Sequence, residues 1–151
     1  FISSAESPKD VSDVDDLSEL EGLDGIICGI PTWNTGADEE RSGTAWDSIL
    51  EDIGELSLSG KKVAIFGLGD SSTYTENYCD AMEELHSYFT KAGAEMVGYV
   101  DKSSYTFDES KSVIGESFCG LPLDEDSESD LTDSRLETWA SQLKGEIPSL
   151  A

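Results

Sequence analysis

The chain has 151 residues, with 33 acidic against 9 basic side chains and a formal charge of −24. That length fits one domain with a real core, and a 37% hydrophobic content argues against wholesale disorder. Charge of this sign repels nucleic-acid phosphates and anionic membrane surfaces, and it favours protein partners that present basic patches.

No run approaches the ~18 apolar residues of a membrane helix. Phe1 to Ala5 has neither the basic start nor the apolar core of a signal peptide. Residues 1–20 are polar and acidic, with a short extended piece expected near Pro8 to Val11. The run from Gly25 to Ile30 is short, β-branched and bounded by turn residues, so it predicts a strand buried on both faces. Pro31 to Gly36 breaks it. Trp46, Ile49, Leu50 and Ile53 then fall on one helical face.

Lys62 to Gly67 predicts a second buried strand, followed by a polar loop through Thr75. In the next helix Tyr78, Ala81, Met82, Leu85, Phe89 and Ala92 form one stripe, with Glu83, Glu84 and Lys91 off it. Asn77 suits its N-cap and Gly93 its stop. A third strand is expected from Glu95 to Val100. Residues 101–130 leave the alternation and end in the acidic run Asp124 to Asp130, which reads as a solvated loop. The last helix carries Leu136, Trp139, Ala140, Leu143 and Ile147 on one face. Alternating strands and helices predict an α/β domain with a parallel sheet.

Cys28, Cys79 and Cys119 form no CxxC pair, and His86 has no cysteine at ligand spacing. Neither a zinc site nor a disulfide framework is expected, and the three thiols read as buried or partly buried in a reducing compartment. Gly67-x-Gly69-x-x-Ser72 lacks the third glycine of a dinucleotide fingerprint. The stretch after Asp124 has Ser129 where a calcium loop needs glycine and Arg135 where it needs glutamate. His86 reads as a boundary residue, and no nucleophile–base pair stands out.

Ligands of open parallel sheets bind beyond the carboxyl ends of the strands. Two loops leave such ends here, Pro31 to Asp38 and Gly67 to Asn77. Each carries an aromatic that the core pattern does not explain, Trp33 and Tyr74. Taken singly, Trp33 reads as a cap on the core and Tyr74 as a turn residue. Together they could sandwich a flat ring system.

The two loops match a known pattern. Pro31-Thr32-Trp33-Asn34-Thr35-Gly36, Arg41-Ser42-Gly43-Thr44 with Trp46-Asp47, Phe66-Gly67-Leu68-Gly69-Asp70, and Tyr74 with Asn77, Cys79, Asp80 and Ala81 resemble the long-chain flavodoxins. These are FMN-carrying electron-transfer proteins of algae and cyanobacteria. The resemblance runs from about Pro8 to Leu143, and Cys79 sits where red-algal members also have a cysteine. It implies a single flavodoxin-like domain over residues 1–151, with strand order 2-1-3-4-5 and helices on both faces. It also implies a long-chain insertion at about 101–123.

Carried over, the resemblance places Trp33 on one flavin face and Tyr74 on the other. The Asn34–Thr35 peptide, with Gly36 beside it, should lie next to the flavin N5. Leu68, Gly69 and Asp70 should border the pyrimidine edge, Asn77 and Cys79 the rim, and Thr32 the ribityl chain or phosphate. Asp38, Glu39, Glu40, Asp70 and Glu76 would resist further negative charge on the ring, although a solvated surface explains any one of them alone.

The implied role is a low-potential carrier from photosystem I to ferredoxin–NADP reductase, replacing ferredoxin and docking on basic surfaces. It would act in a plastid stroma or a cyanobacterial cytoplasm, as a monomer or a subunit of a complex.

One expected part has no match. The family begins with a central strand and a Thr-x-Thr-Gly-x-Thr loop that cradles the FMN phosphate. Phe1 to Ser7 lacks the glycine and has a glutamate instead. Either the family's first strand and loop lie upstream of Phe1, or the chain is an FMN-free interaction subunit docked in a larger assembly. A flavin-dependent quinone reductase on the same fold is the third alternative. Tyr74 over the ring and the long-chain insertion oppose it.

Overall fold

A computed structural model describes residues 1–151. Three stretches form the expected parallel strands: β1 (Gly25–Pro31), β2 (Lys62–Leu68) and β3 (Glu95–Val97). They are joined by α1 (Leu50–Gly54) and α2 (Ala81–Lys91), and the longest helix is α3 (Thr132–Glu146), followed by a 3-10 turn over Pro148–Leu150. β2 lies between β1 and β3, so the parallel strands follow sequence order. This matches the later half of the order that the resemblance implied.

The third strand departs from expectation. It stops at Val97 instead of Val100, because Gly98 turns the chain at φ +78°. β4 (Val100–Asp101), β5 (Val113–Ile114) and β6 (Ser117–Phe118) then form a small antiparallel sheet of order β4-β6-β5. β7 (Leu121–Leu123) returns and pairs parallel with β2. β3 pairs with Lys62 to Ala64 and β7 with Phe66 to Leu68. The two segments thus share β2, with the excursion of residues 98–120 between them. Return at Gly120 needs a glycine, since a Cβ there would clash with the Ile65 carbonyl oxygen.

Alternation along the strands divides the core between two faces. Ile26, Cys28, Ile30, Val63 and Ile65 pack under α1 and α2 with Leu50, Ile53, Met82, Leu85 and Phe89. Ala64, Val97, Leu121 and Leu123 pack under α3 with Trp139, Leu143 and Ile147. β1 is not buried on both faces as expected. Its Ile26, Cys28 and Ile30 are buried, but Ile27 is only half-buried at the margin of the second cluster. β1 pairs with β2 alone, and its other edge carries no strand.

The excursion is anchored by packed rings. Phe118 meets Tyr105 and Phe107 at 5.1 and 5.0 Å between centroids, and Tyr78 of the main domain at 6.0 Å. The Arg135 guanidinium lies 4.1 Å from the Tyr105 ring centroid. All three cysteines are buried and free.

Three local expectations need correction. The extended piece ends at Asp10 rather than Val11, because the Asp10 carboxylate accepts from the Ser12 amide at 2.8 Å and starts a 3-10 turn at Val11. α2 begins at Ala81 rather than beside Asn77, after a turn in which Cys79 takes φ +53°. The helical face from Trp46 to Ile53 is one 3-10 turn, Asp47–Ile49, followed by the short α1.

Candidate functional site

The register Pro31 opposite Leu68 brings both loops out of the same end of the sheet. They are stitched at the exit, where the Thr32 amide donates to the Leu68 carbonyl at 3.1 Å. The Thr32 Oγ1 accepts from the Ala81 amide at 3.2 Å, which ties the first loop to the start of α2. The Gly69 amide donates to the Leu123 carbonyl at 3.0 Å and continues the β2–β7 ladder.

In the first loop Trp33 and Asn34 form one arm of a hairpin-like turn. Their amides donate to the Ser42 and Arg41 carbonyls at 3.2 and 3.0 Å. Gly43 lets the arms close because it takes φ +66°, a left-handed conformation that side chains rarely adopt. Gly36 reverses the tip at φ +83°, and the Thr35 Oγ1 donates to the Thr32 carbonyl at 3.2 Å. Ser42 is buried and donates to Asp47 at 2.5 Å, which pins the base of the turn. All of this order leaves Trp33 75% exposed.

The second loop is a set of nested turns. The Tyr74 amide donates to the Asp70 carbonyl, and the Asn77 amide to the Tyr74 carbonyl, both at 3.0 Å. Asp70 Oδ1 accepts from the Ser72 and Thr73 amides at 3.1 and 3.0 Å and from Ser127 Oγ at 3.0 Å. Tyr74 is 50% exposed and Leu68 38% exposed. The Asn77 side chain reaches Asp80 Oδ2 at 3.5 Å and so braces the approach to α2.

The Thr73 amide, chief among these donors, holds Asp70 below its ordinary value of 3.8. An anion favoured by the folded turn stabilises that turn above the unfolded value, and the gain is lost as pH falls through the folded one. Below about pH 4 the Thr73 amide is therefore expected to lose hydrogen-exchange protection before the Ile65 amide of β2. Simultaneous loss would contradict this role for Asp70.

Cys79 is not a rim residue. It is fully buried, and its backbone nitrogen and sulfur both lie 2.9 Å from where a Gly69 Cβ would sit. Burial pushes its thiol up, so it stays protonated and inert. Glycine at position 69 is what lets the loop cross over it.

Sequence reasoning missed two carboxylates. Asp124, read as part of a solvated run, is fully buried. Its Oδ2 accepts from the Ser71 amide and hydroxyl at 2.9 and 2.6 Å, and its Oδ1 from the Asp126 and Ser127 amides at 3.0 and 2.7 Å. It therefore locks the second loop to the turn after β7. Its place directly after the apolar Leu121-Pro122-Leu123, with small polar residues behind it, was the available signal. Glu84, read as lying off the apolar stripe, is buried under the first loop. It accepts from the Glu40 and Arg41 amides at 2.8 and 2.7 Å.

The flavin implied by the resemblance fits these loops at its ring end. Two exposed aromatics stand on neighbouring loops, and the Thr35, Gly36 and Asp70 amides make no hydrogen bond within the chain. Such a set offers apolar faces and edge donors to a planar heterocycle. The phosphate end is different. The α2 terminus next to both loops is committed, with the Ala81 amide on Thr32 and the Glu83 amide on Ser112.

Asp38, Glu39, Glu40 and Glu76 are exposed on the two loops and Asp70 is partly so. Six of the nine basic side chains pair with a carboxylate, Lys9, Arg41, Lys62, Lys91, Lys102 and Arg135. Most acids therefore have no counter-charge. No group of His, Cys, Asp or Glu is arranged to hold a metal ion, and no helix is long and apolar enough to cross a membrane.

Comparison with known proteins agrees with this geometry. The family model described as Flavodoxin matches residues 3–139. The flavodoxin of Synechococcus elongatus is 43% identical over 122 residues, which is 81% of this chain and 69% of that protein. Flavodoxin 2 of Salmonella typhi is 40% identical over 124 residues, with the same shares covered. Among solved structures, Fusobacterium nucleatum flavodoxin bound to flavin mononucleotide superposes with a TM-score of 0.78 at 29% identity. That match covers 85% of this chain and 75% of the other.

Proposed function

The chain belongs to the flavodoxin family, and on that premise we propose that it is a low-potential one-electron carrier that works with bound FMN. It is a carrier and not an enzyme. The observation that carries the reading is the pair of exposed aromatics, Trp33 and Tyr74, on loops stitched side by side at the carboxyl ends of β1 and β2. Trp33 and Tyr74 hold the two ring faces. Asn34, Thr35 and Gly36 offer peptide groups to one edge, Leu68, Gly69 and Asp70 border another, Asn77 stands at the rim, and Thr32, tied to the start of α2, faces the ribityl chain or phosphate.

FMN supplies the one-electron chemistry, and the protein supplies position and field. Asp38, Glu39, Glu40, Asp70 and Glu76 ring the site and resist added negative charge there, which lowers the potential of the last reduction step. The long-chain insertion, expected at about 101–123 of a single domain, we assign to the excursion that ends before β7, because Leu121–Leu123 rejoins the main sheet beside β2.

The finer role we propose is transfer from photosystem I to ferredoxin–NADP reductase in place of ferredoxin, in a plastid stroma or a cyanobacterial cytoplasm. A net charge of −24 supports docking on basic surfaces. Association with either partner is expected to slow by about tenfold or more as the Debye length falls from ~10 Å at 0.1 M salt to ~3 Å at 1 M. A salt-independent rate in stopped-flow would contradict it.

The carrier reading itself is tested by reductive titration of the holoprotein. Two separated one-electron steps are expected. A single two-electron step would exclude a one-electron carrier.

A further inference from the structure

The exposed tryptophan of the first loop is held through a two-step chain of hydrogen bonds that starts on α2. The first step is on Glu84. Its Oε2 accepts from the Glu40 amide at 2.8 Å and its Oε1 from the Arg41 amide at 2.7 Å. Two successive backbone amides thus converge on the two oxygens of one buried carboxylate. The second step passes from that segment to the aromatic arm. The Glu40, Arg41 and Ser42 carbonyls accept, in that order, from Asn34 Nδ2 at 3.0 Å, the Asn34 amide at 3.0 Å and the Trp33 amide at 3.2 Å.

Both Asn34 bonds therefore end on Glu40 and Arg41, which Glu84 holds, while the Trp33 amide ends on the next residue, Ser42, whose side chain is pinned separately by Asp47. Two further features show that the attachment is specific. Glu40 takes φ +54°, a left-handed conformation that a non-glycine residue adopts only when its surroundings fix it. Arg41 adds a second strap, with Nη1 on Glu83 Oε2 at 2.7 Å and on the Asp80 carbonyl at 3.1 Å. Its Nε and Nη2 hold the Asp38 carbonyl at 3.2 and 3.0 Å.

We infer that Glu84 is the positioning residue of the flavin site: it touches no part of the ring site, and it fixes Trp33 through the Glu40–Arg41 segment. This rests on the reading that Trp33 stacks on the flavin. The chemistry requires a carboxylate. Glutamine at this position fills the same volume but presents an NH2 group to one of two inward-pointing amides, so one bond is replaced by a donor–donor contact. The loop then samples positions in which Trp33 is withdrawn, and apparent affinity falls with the fraction of competent loop.

A double-mutant cycle on the holoprotein separates positioning from bulk stability. Flavin affinity is measured for the wild type, Glu84→Gln, Trp33→Ala and the double variant, with the bound-flavin absorbance envelope as the spectroscopic readout. Glu84→Gln is expected to weaken binding about tenfold in the wild-type background and less than about twofold in Trp33→Ala, and to shift the envelope only when Trp33 is present. Equal weakening in both backgrounds, or none in either, overturns the inference while leaving the flavin reading intact.

Unchanged affinity in Trp33→Ala alone overturns the flavin reading and the inference with it. Should Glu84→Gln fail to fold, Glu83→Gln tests the outer strap. A weakening of about two- to threefold, confined to the background that keeps Trp33, is the supporting result, and a weakening independent of Trp33 is the contrary one.

Discussion

Trp33→Ala is expected to weaken flavin binding by one to two orders of magnitude, and Tyr74→Ala by a similar factor. Stacking of a planar base on an aromatic side chain is worth about 1–3 kcal/mol, and each 1.4 kcal/mol is about tenfold. Neither ring is committed to the core, since Trp33 is 75% and Tyr74 50% exposed. Thermal stability of the flavin-free protein should therefore move by no more than about 0.5 kcal/mol for either variant. Titration with riboflavin isolates the ring from the phosphate, and quenching of flavin fluorescence gives the affinity. Affinity unchanged in both variants would mean that the two loops do not form the ring site. Loss of stability in step with loss of affinity would mean that they act through the fold.

Asp124→Ala is expected to cost about 3–5 kcal/mol of folding stability, the largest effect of any single substitution proposed for this chain. Its carboxylate is fully buried and accepts four hydrogen bonds, from the Ser71 amide and hydroxyl and the Asp126 and Ser127 amides. Removing it leaves several inward-facing donors without an acceptor and opens a polar cavity. For a domain of this size the loss corresponds to a fall in melting temperature of roughly 10 °C. The effect should also reach the site, because Ser71 follows Asp70 and Ser127 donates to it at 3.0 Å. Urea denaturation measures the first effect and Tyr74 solvent accessibility the second. Asp124→Asn, which keeps one acceptor oxygen, should lose less. A change below about 1 kcal/mol in Asp124→Ala would show that the four donors find other partners.

The strands and the long helices were legible because period decides them. Val63 to Ile65 and Ile26 to Ile30 are too apolar and too β-branched for exposed structure, and Trp139, Leu143 and Ile147 repeat at helical spacing. What the pattern could not show was where one expected strand is cut. Glu95 to Val100 reads as continuous by residue type. Yet Gly98 carries the turn, and Leu121 to Leu123 extends the same side of β2 after the excursion.

The site residues follow the same division. Trp33 and Tyr74 stood out because no core pattern used them. Glu84 and Asp124 were hidden by the opposite habit, the expectation that a carboxylate faces water. Each is buried where it accepts backbone amides that a loop leaves open. Cys79 erred in the same way from the other side. Its place in the loop suggested the rim, and the turn before α2 folded it inward under Gly69.

The most direct test of the central claim is the cofactor content of the purified native protein. The account predicts a yellow protein with flavin absorbance bands and one FMN per chain by mass after denaturation. A colourless protein that takes up no FMN on reconstitution would contradict it, and would favour the FMN-free interaction subunit.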